Sequence, residues 1–290
     1  MLLVREQRLH LTIMSEQRDY AHGHHASVLA SHAARTASNS CAYFLDRLQP
    51  GMRILDIGCG PGSISLDLSR IVGSAGEVVG IDFSSDAISH ARDALAAADD
   101  AAELNVTFAT GDVYSLGENR ELIGNGFDVV HAYQVLQHVP DPVEALRTMG
   151  ALCSPQGIIA VRDADYSAMT WFPASEELED WRTTYIRTAR EAGGDPDAGR
   201  KLKSWALGAG LDIVGSMSST WTYSTEKATS WWGSSQAERV RKSQFADKAR
   251  ALGLSNEDIE EIAQGWAQWG QAREAWFCMM HGELLATPQR

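Results

Sequence analysis

A chain of 290 residues, 44% hydrophobic and 22% charged, has the balance of a globular protein and room for one large α/β domain with an elaboration. Its 25 Lys and Arg against 38 Asp and Glu leave a net charge of −13 with no basic patch, which argues against nucleic acid as a partner. Four cysteines, at 41, 59, 153 and 278, make no C-x-x-C pair and no disulfide framework, as expected in a reducing cytoplasm, and no apolar run reaches the length of a membrane span.

In chain order, residues 1–25 are polar. Leu2-Leu3-Val4 is too short for a signal-peptide core and is followed at once by Arg5 and Glu6, so Met14 is an alternative start. His22-Gly23-His24-His25 invites a metal reading, but no Cys or acidic residue stands at ligand spacing, so no metal is expected. His24 or His25 is instead a candidate base or acceptor contact on a segment that closes over a ligand. A helix is predicted over 26–48, where Val28, His32, Arg35, Asn39 and Tyr43 recur on one side, and Pro50-Gly51 ends it.

Strands over 53–57, 77–81, 105–110, 127–132 and 157–163 then alternate with helices over 63–72, 85–98 and 142–152. The strands are near-continuous apolar runs, as when both faces of a sheet are covered. The pattern predicts an α/β fold with a doubly wound, mostly parallel sheet and right-handed crossovers. Beyond Asp163 come a helix over 174–192, a Gly-Gly-Asp-Pro break, a helix over 198–209 and a strand over 211–219. A mostly helical stretch over 224–270 and a final strand over 275–286 follow. The expected division is an arm and lid helix (1–48), a cofactor-binding core (49–165), and the remainder of the same domain with helical cap insertions (166–290).

The stretch Arg53-Ile54-Leu55-Asp56-Ile57-Gly58-Cys59-Gly60-Pro61-Gly62 runs from a strand through a glycine-rich turn into a helix, the architecture that brings backbone N–H groups against a nucleotide-like ligand. A dinucleotide fingerprint wants a third glycine where Ser63 stands. Asp56, two residues before the first glycine, repels a pyrophosphate and attracts an ammonium such as that of a methionine moiety. Asp82 closes the next strand 22 residues after Gly60, where a ribose-binding carboxylate belongs, with Phe83 beside it. Gly111-Asp112-Val113 ends the third strand, and Asp112 is placed to accept from an adenine amino group.

These segments resemble the class I S-adenosylmethionine-dependent methyltransferases, and among them the family typified by ubiquinone/menaquinone-biosynthesis methyltransferases. Leu55 to Gly62 looks like that family's first motif, Asp82 its ribose-binding acid, Gly111-Asp112-Val113 its adenine-contacting turn, and Phe127 to Pro142 its fourth strand and following loop. The likeness covers roughly residues 50–165. It implies a Rossmann-like, seven-stranded sheet whose last strand is antiparallel at the edge. It implies S-adenosyl-L-methionine as cofactor, bound through Asp56, Gly58, Cys59, Gly60, Asp82, Phe83, Gly111, Asp112, Val113 and His131. Tyr20, Arg35 or Asn39 is expected to reach the methionine end from the lid. The reading is methyl transfer to a small molecule, a hydrophobic or aromatic metabolite by the aromatic content, with no nucleic-acid or membrane partner. The oligomeric state stays open, and the alternative is a cofactor-binding sensor or scaffold without turnover.

On the acceptor side, His138 follows the fourth strand and Tyr166 the fifth. They join His25 as catalytic candidates. Asp163 and Asp165 stand close enough to share a proton or to pair with Arg162. Tyr166, Trp171 and Phe172, with Trp231 and Trp232, are candidates to line an apolar pocket, whereas Trp266, Trp269 and Trp276 recur at core spacing.

Overall fold

The computed structural model describes residues 35–118 and 124–289. Strands β1 (Arg53–Ile57), β2 (Glu77–Asp82), β3 (Val106–Thr110), β4 (Phe127–Tyr133) and β5 (Cys153–Ala164) pair in parallel in the order β3-β2-β1-β4-β5. On one face, Leu55, Ile57, Val130 and Val161 pack on Leu146 and Met149. These last two come from helix α4 (Pro142–Leu152), which Asp141 caps by accepting from Glu144 N at 2.9 Å. On the other face, Ile54, Val78 and Val129 meet Leu68 and Val72 of α2 (Ser63–Val72) and Ile88 and Ala91 of α3 (Ser85–Ala96). Coverage of both faces explains why these strands read as unbroken apolar runs.

The described part of the predicted 26–48 helix is not continuous. Only α1 (Ala37–Ser40) and a 3-10 turn (Leu45–Arg47) form, and residues 26–34 lie outside the described residues. Thr36 is extended and caps Ala37 reciprocally with Asn39, so a new helix starts there and Cys41 ends it. Similarly, Ala198–Lys201 tightens into a 3-10 turn before α6 (Leu202–Gly208), after α5 (Glu176–Glu191).

Two expectations about the sheet change. Among the described residues it has eight strands, because Thr170–Phe172 adds a short β6. The last strand, β8 (Trp276–Pro288), is antiparallel but not at the edge: it lies between β5 and β7 (Leu211–Tyr223). Its buried Phe277, Leu284, Leu285 and Ala286 suit a covered strand, whereas β7 alternates half-buried and exposed residues as an edge does.

Between β7 and β8 lie α7 (Glu226–Lys242), α8 (Gln244–Ala251) and α9 (Asn256–Trp269), which with α5 enclose a further core around Trp181, Trp232, Trp266, Trp269 and Phe277. Trp266 and Trp269 are core, as their spacing suggests, but Trp276 is 38% exposed. Ser255 begins α9 with a capping box shared with Asp258. Ser255→Ala is expected to cost about 1 kcal/mol in urea unfolding, since it removes the side-chain acceptor of one helix-end N–H. No helix among the described residues is long and apolar enough to cross a membrane.

Candidate active site

The glycine turn is held from below and open above. Gly58 N and Cys59 N donate to Ile81 O at 2.7 and 3.1 Å, which locks the turn onto β2. Gly58 has φ +68°, and a Cβ there would fall 2.3 Å from Val135 Cγ2. Gly60 has φ +54°, and a Cβ on it would meet nothing within 4 Å, so its surroundings on that side are open. Gly60 N donates to Asp82 Oδ2 and Ser84 N to Asp82 Oδ1, both at 2.9 Å. A carboxylate oxygen has two lone pairs, so it can accept from more than one donor. Phe83 beside it is 45% exposed. Gly111 N donates to Asp82 O at 2.9 Å, and Asp112 Oδ1 accepts from Tyr114 N at 3.2 Å, while Val113 is buried. Cys59 is also buried. Burial pushes its thiol well above the ordinary value, so it offers its backbone rather than a thiolate.

Asp56, expected to attract an ammonium, has its carboxylate held by buried neighbours. It is 2% exposed, Oδ2 accepts from Ser65 Oγ at 2.5 Å, and Oδ1 lies 2.8 Å from His131 Nδ1. His131 is its direct neighbour across β1 and β4, fully buried, with Nε2 3.5 Å from Cys41 Sγ. Burial disfavours the imidazolium, but the Cys41 sulfur and the Asp56 carboxylate outweigh it and push the pKa up to about 10.

At the ends of β4 and β5 a second set converges. Gln134 is the one non-glycine with positive φ among the described residues, at +53°. Its Oε1 accepts from Arg35 at 2.8 Å, so its amide donates to His281 Nε2 at 2.9 Å. Burial holds His281 well below the ordinary value and therefore neutral. Arg162 is buried and pairs with Glu283 at 3.0 Å while donating to Tyr133 OH at 3.1 Å, not with the neighbouring aspartates as expected. Asp165 caps the turn before β6 and pairs with Arg200.

Asp163 accepts from Gln137 N at 3.2 Å, and burial pushes it up to about 7. A carboxyl with a raised folded-state value loses stability as pH rises from about 4 to 7, because the unfolded chain ionises first. Asp163→Asn is therefore expected to melt higher than wild type at pH 8 and to converge with it near pH 4.

Of the catalytic candidates, His25 lies outside the described residues, as do His24 and Tyr20. His138 is half-buried, and burial, then Arg35 and Lys248, push it down to about 3, far from the range that suits a base at neutral pH. Tyr166 is buried and stacks on Tyr185 at 4.1 Å in the insertion core, a packing position. Arg35 does reach the strand ends through Gln134, and Asn39 Oδ1 accepts from Thr36 N at 2.9 Å and Ser40 Oγ at 2.8 Å in its own turn. Cys41, Ser65, Gln134, His281 and Glu283 gave no local sign, since their partners lie 9 to 147 residues away. No group of three or more metal-ligating side chains occurs among the described residues.

The family model described as "Methyltransferase domain" matches residues 48–228, which span the glycine turn, Asp82 and the β4 loop. The chain belongs to this methyltransferase family. An uncharacterized methyltransferase of Schizosaccharomyces pombe, C1B3.06c, is 29% identical over 279 residues, covering 93% of this chain and 97% of that protein, so the likeness extends well beyond the cofactor core. A demethylmenaquinone methyltransferase of Staphylococcus aureus is 32% identical over 125 residues, 43% of this chain and 48% of that one. A Haemonchus contortus phosphoethanolamine N-methyltransferase solved with S-adenosylhomocysteine shares the fold, at TM-score 0.51 and 19% identity, over 86% of this chain and 52% of that chain. This methyltransferase uses S-adenosylmethionine, and Asp82, the open face of Gly60, exposed Phe83 and Asp112 suit its ribose, backbone and adenine contacts.

Proposed function

We propose that this methyltransferase acts on a small hydrophobic or aromatic metabolite held beneath the α7–α9 insertion. The observation that carries this reading is the aromatic set beside the ends of β7 and β8. Trp221 of β7, half-buried, tilts on Tyr133 at 6.0 Å and on His281 at 5.1 Å, and Arg35 and Arg162 lie 5.0 and 5.3 Å over the Tyr133 ring. Flat rings and guanidinium groups suit a planar, electron-rich acceptor. The demethylmenaquinone enzyme among the relatives supports a quinol-like example.

S-adenosylmethionine supplies an electrophilic methyl group on a sulfonium. The chain's own task is alignment and exclusion of water: the glycine turn and Asp82 fix the donor, and the insertion covers the acceptor. Alignment would let an acceptor lone pair form its bond to the methyl carbon as the S–CH3 bond breaks, with that bond's electron pair passing to sulfur. The chain's four cysteines are all free, in keeping with a reducing cytoplasm.

The test is turnover of S-adenosylmethionine with a panel of phenols, quinols and aliphatic amines, read by mass spectrometry of product and S-adenosylhomocysteine. Methylation confined to aliphatic amines would sink the aromatic reading. Tight binding of S-adenosylhomocysteine with no product from any acceptor would favour a sensor.

A further inference from the structure

Ser65, Asp56, His131 and Cys41 form one buried chain of contacts that ordinary packing does not require. It runs from α2 through β1 and β4 to the segment just past α1, at 2.5, 2.8 and 3.5 Å. His131 and Cys41 are 0% exposed. An imidazole has hydrogen-bonding nitrogens on two edges, so it can bridge a carboxylate and a thiol at once. With Nδ1–H donating to Asp56, Nε2 accepts from the thiol, and the imidazolium donates at both ends.

The segment that carries Cys41 touches both halves of the site. Ala37 N donates to Asp67 Oδ2 of α2 at 2.9 Å. Arg35 donates to Gln134 beside the acceptor region, and Trp221 of β7 donates from Nε1 to Asn39 O at 3.1 Å. The Asp56 end lies directly under the glycine turn.

We propose that His131 is a positioning residue for methyl transfer: it holds Asp56 beneath the cofactor turn and, through Cys41, ties residues 35–41 to that turn, so that cofactor binding and seating of this segment are coupled. The inference rests on the cofactor reading above. His131 touches neither donor nor acceptor and acts through Asp56 and Cys41.

The test compares full-length wild type, Cys41→Ala and Cys41→Ser. S-adenosylhomocysteine affinity is measured by calorimetry, and hydrogen exchange over 35–44 and 58–65 is followed with and without that ligand. In wild type the ligand should protect both stretches. Cys41→Ala should bind about fivefold more weakly, the loss of one hydrogen bond, and keep ligand protection at 58–65 but not at 35–44. Cys41→Ser retains a hydroxyl to bridge and should restore both readouts. Cys41→Val, similar in volume but without a bridging group, replaces alanine if alanine does not fold. A merely packed cysteine would lower the melting temperature equally with and without ligand and leave the protection pattern intact, which overturns the proposal. So would a serine variant as uncoupled as alanine. Wild type that binds no S-adenosylhomocysteine overturns the cofactor reading itself, and this inference with it.

Discussion

Asp82→Ala is expected to weaken S-adenosylhomocysteine binding by about a hundredfold or more. Two ribose hydroxyls donating to a carboxylate are hydrogen bonds to a charged group, each worth about 1.5–3 kcal/mol, and about 1.4 kcal/mol is tenfold in affinity. The same carboxylate also receives Gly60 N and Ser84 N, so its loss slackens the turn that meets the donor. Calorimetry gives the affinity. Melting without ligand gives the separate cost of the two lost backbone acceptors, which should be the smaller effect. Unchanged affinity would remove Asp82 from the ribose site.

His131→Leu is expected to destabilise the fold by about 3–5 kcal/mol at pH 6, the cost typical of taking one partner from a buried ion pair. Leucine fills most of the space, so the loss comes from the Asp56 carboxylate left 2% exposed with only Ser65 as partner. The sign of the pH dependence follows from the raised value of His131. Its stabilisation is complete below about 6.5, the unfolded value, and is lost as pH rises toward about 10, its folded value. The slope is at most about 1.36 kcal/mol per pH unit for one proton. Urea midpoints of the two proteins should therefore approach each other between pH 6.5 and 10. A gap that stays constant over that range would mean the imidazole is neutral and only packs.

The regular half of the fold was legible because its signals are local. A run such as Glu77 to Asp82, ending in a carboxylate, announces a covered strand and its ligand edge together. Elements that depend on distant partners were harder to read. The short β6 exists because Thr170 to Phe172 finds the free side of β8, more than a hundred residues on. The helix expected across 26–48 fails in its described part because Thr36 and Asn39 satisfy each other instead of continuing the turn.

The same division runs through the site. The residue types at Asp56 and His131 marked them as candidates, but their mutual register across β1 and β4 turned the carboxylate inward, and no spacing in the sequence encodes that. The acid expected to meet the methionine ammonium is instead committed to its neighbours. Arg162 likewise passed over the adjacent aspartates for Glu283, which only the antiparallel return of β8 brings alongside.

The position of β8 inside the sheet also sets an order for assembly. While the ribosome is still making the insertion helices, β5 and β7 have both been synthesised and neither has its eventual neighbour. Two strand edges must wait for residues 276–288 before they are covered. Contacts closed over so long a stretch of chain are slow to form, and exposed strand edges are templates for pairing with other chains. A ribosome stalled within the insertion would therefore release the parallel sheet β1–β5 with the outer edge of β5 uncovered and β7 without its partner. Newly made chains are most exposed to aggregation at that stage, when most of the protein is already built.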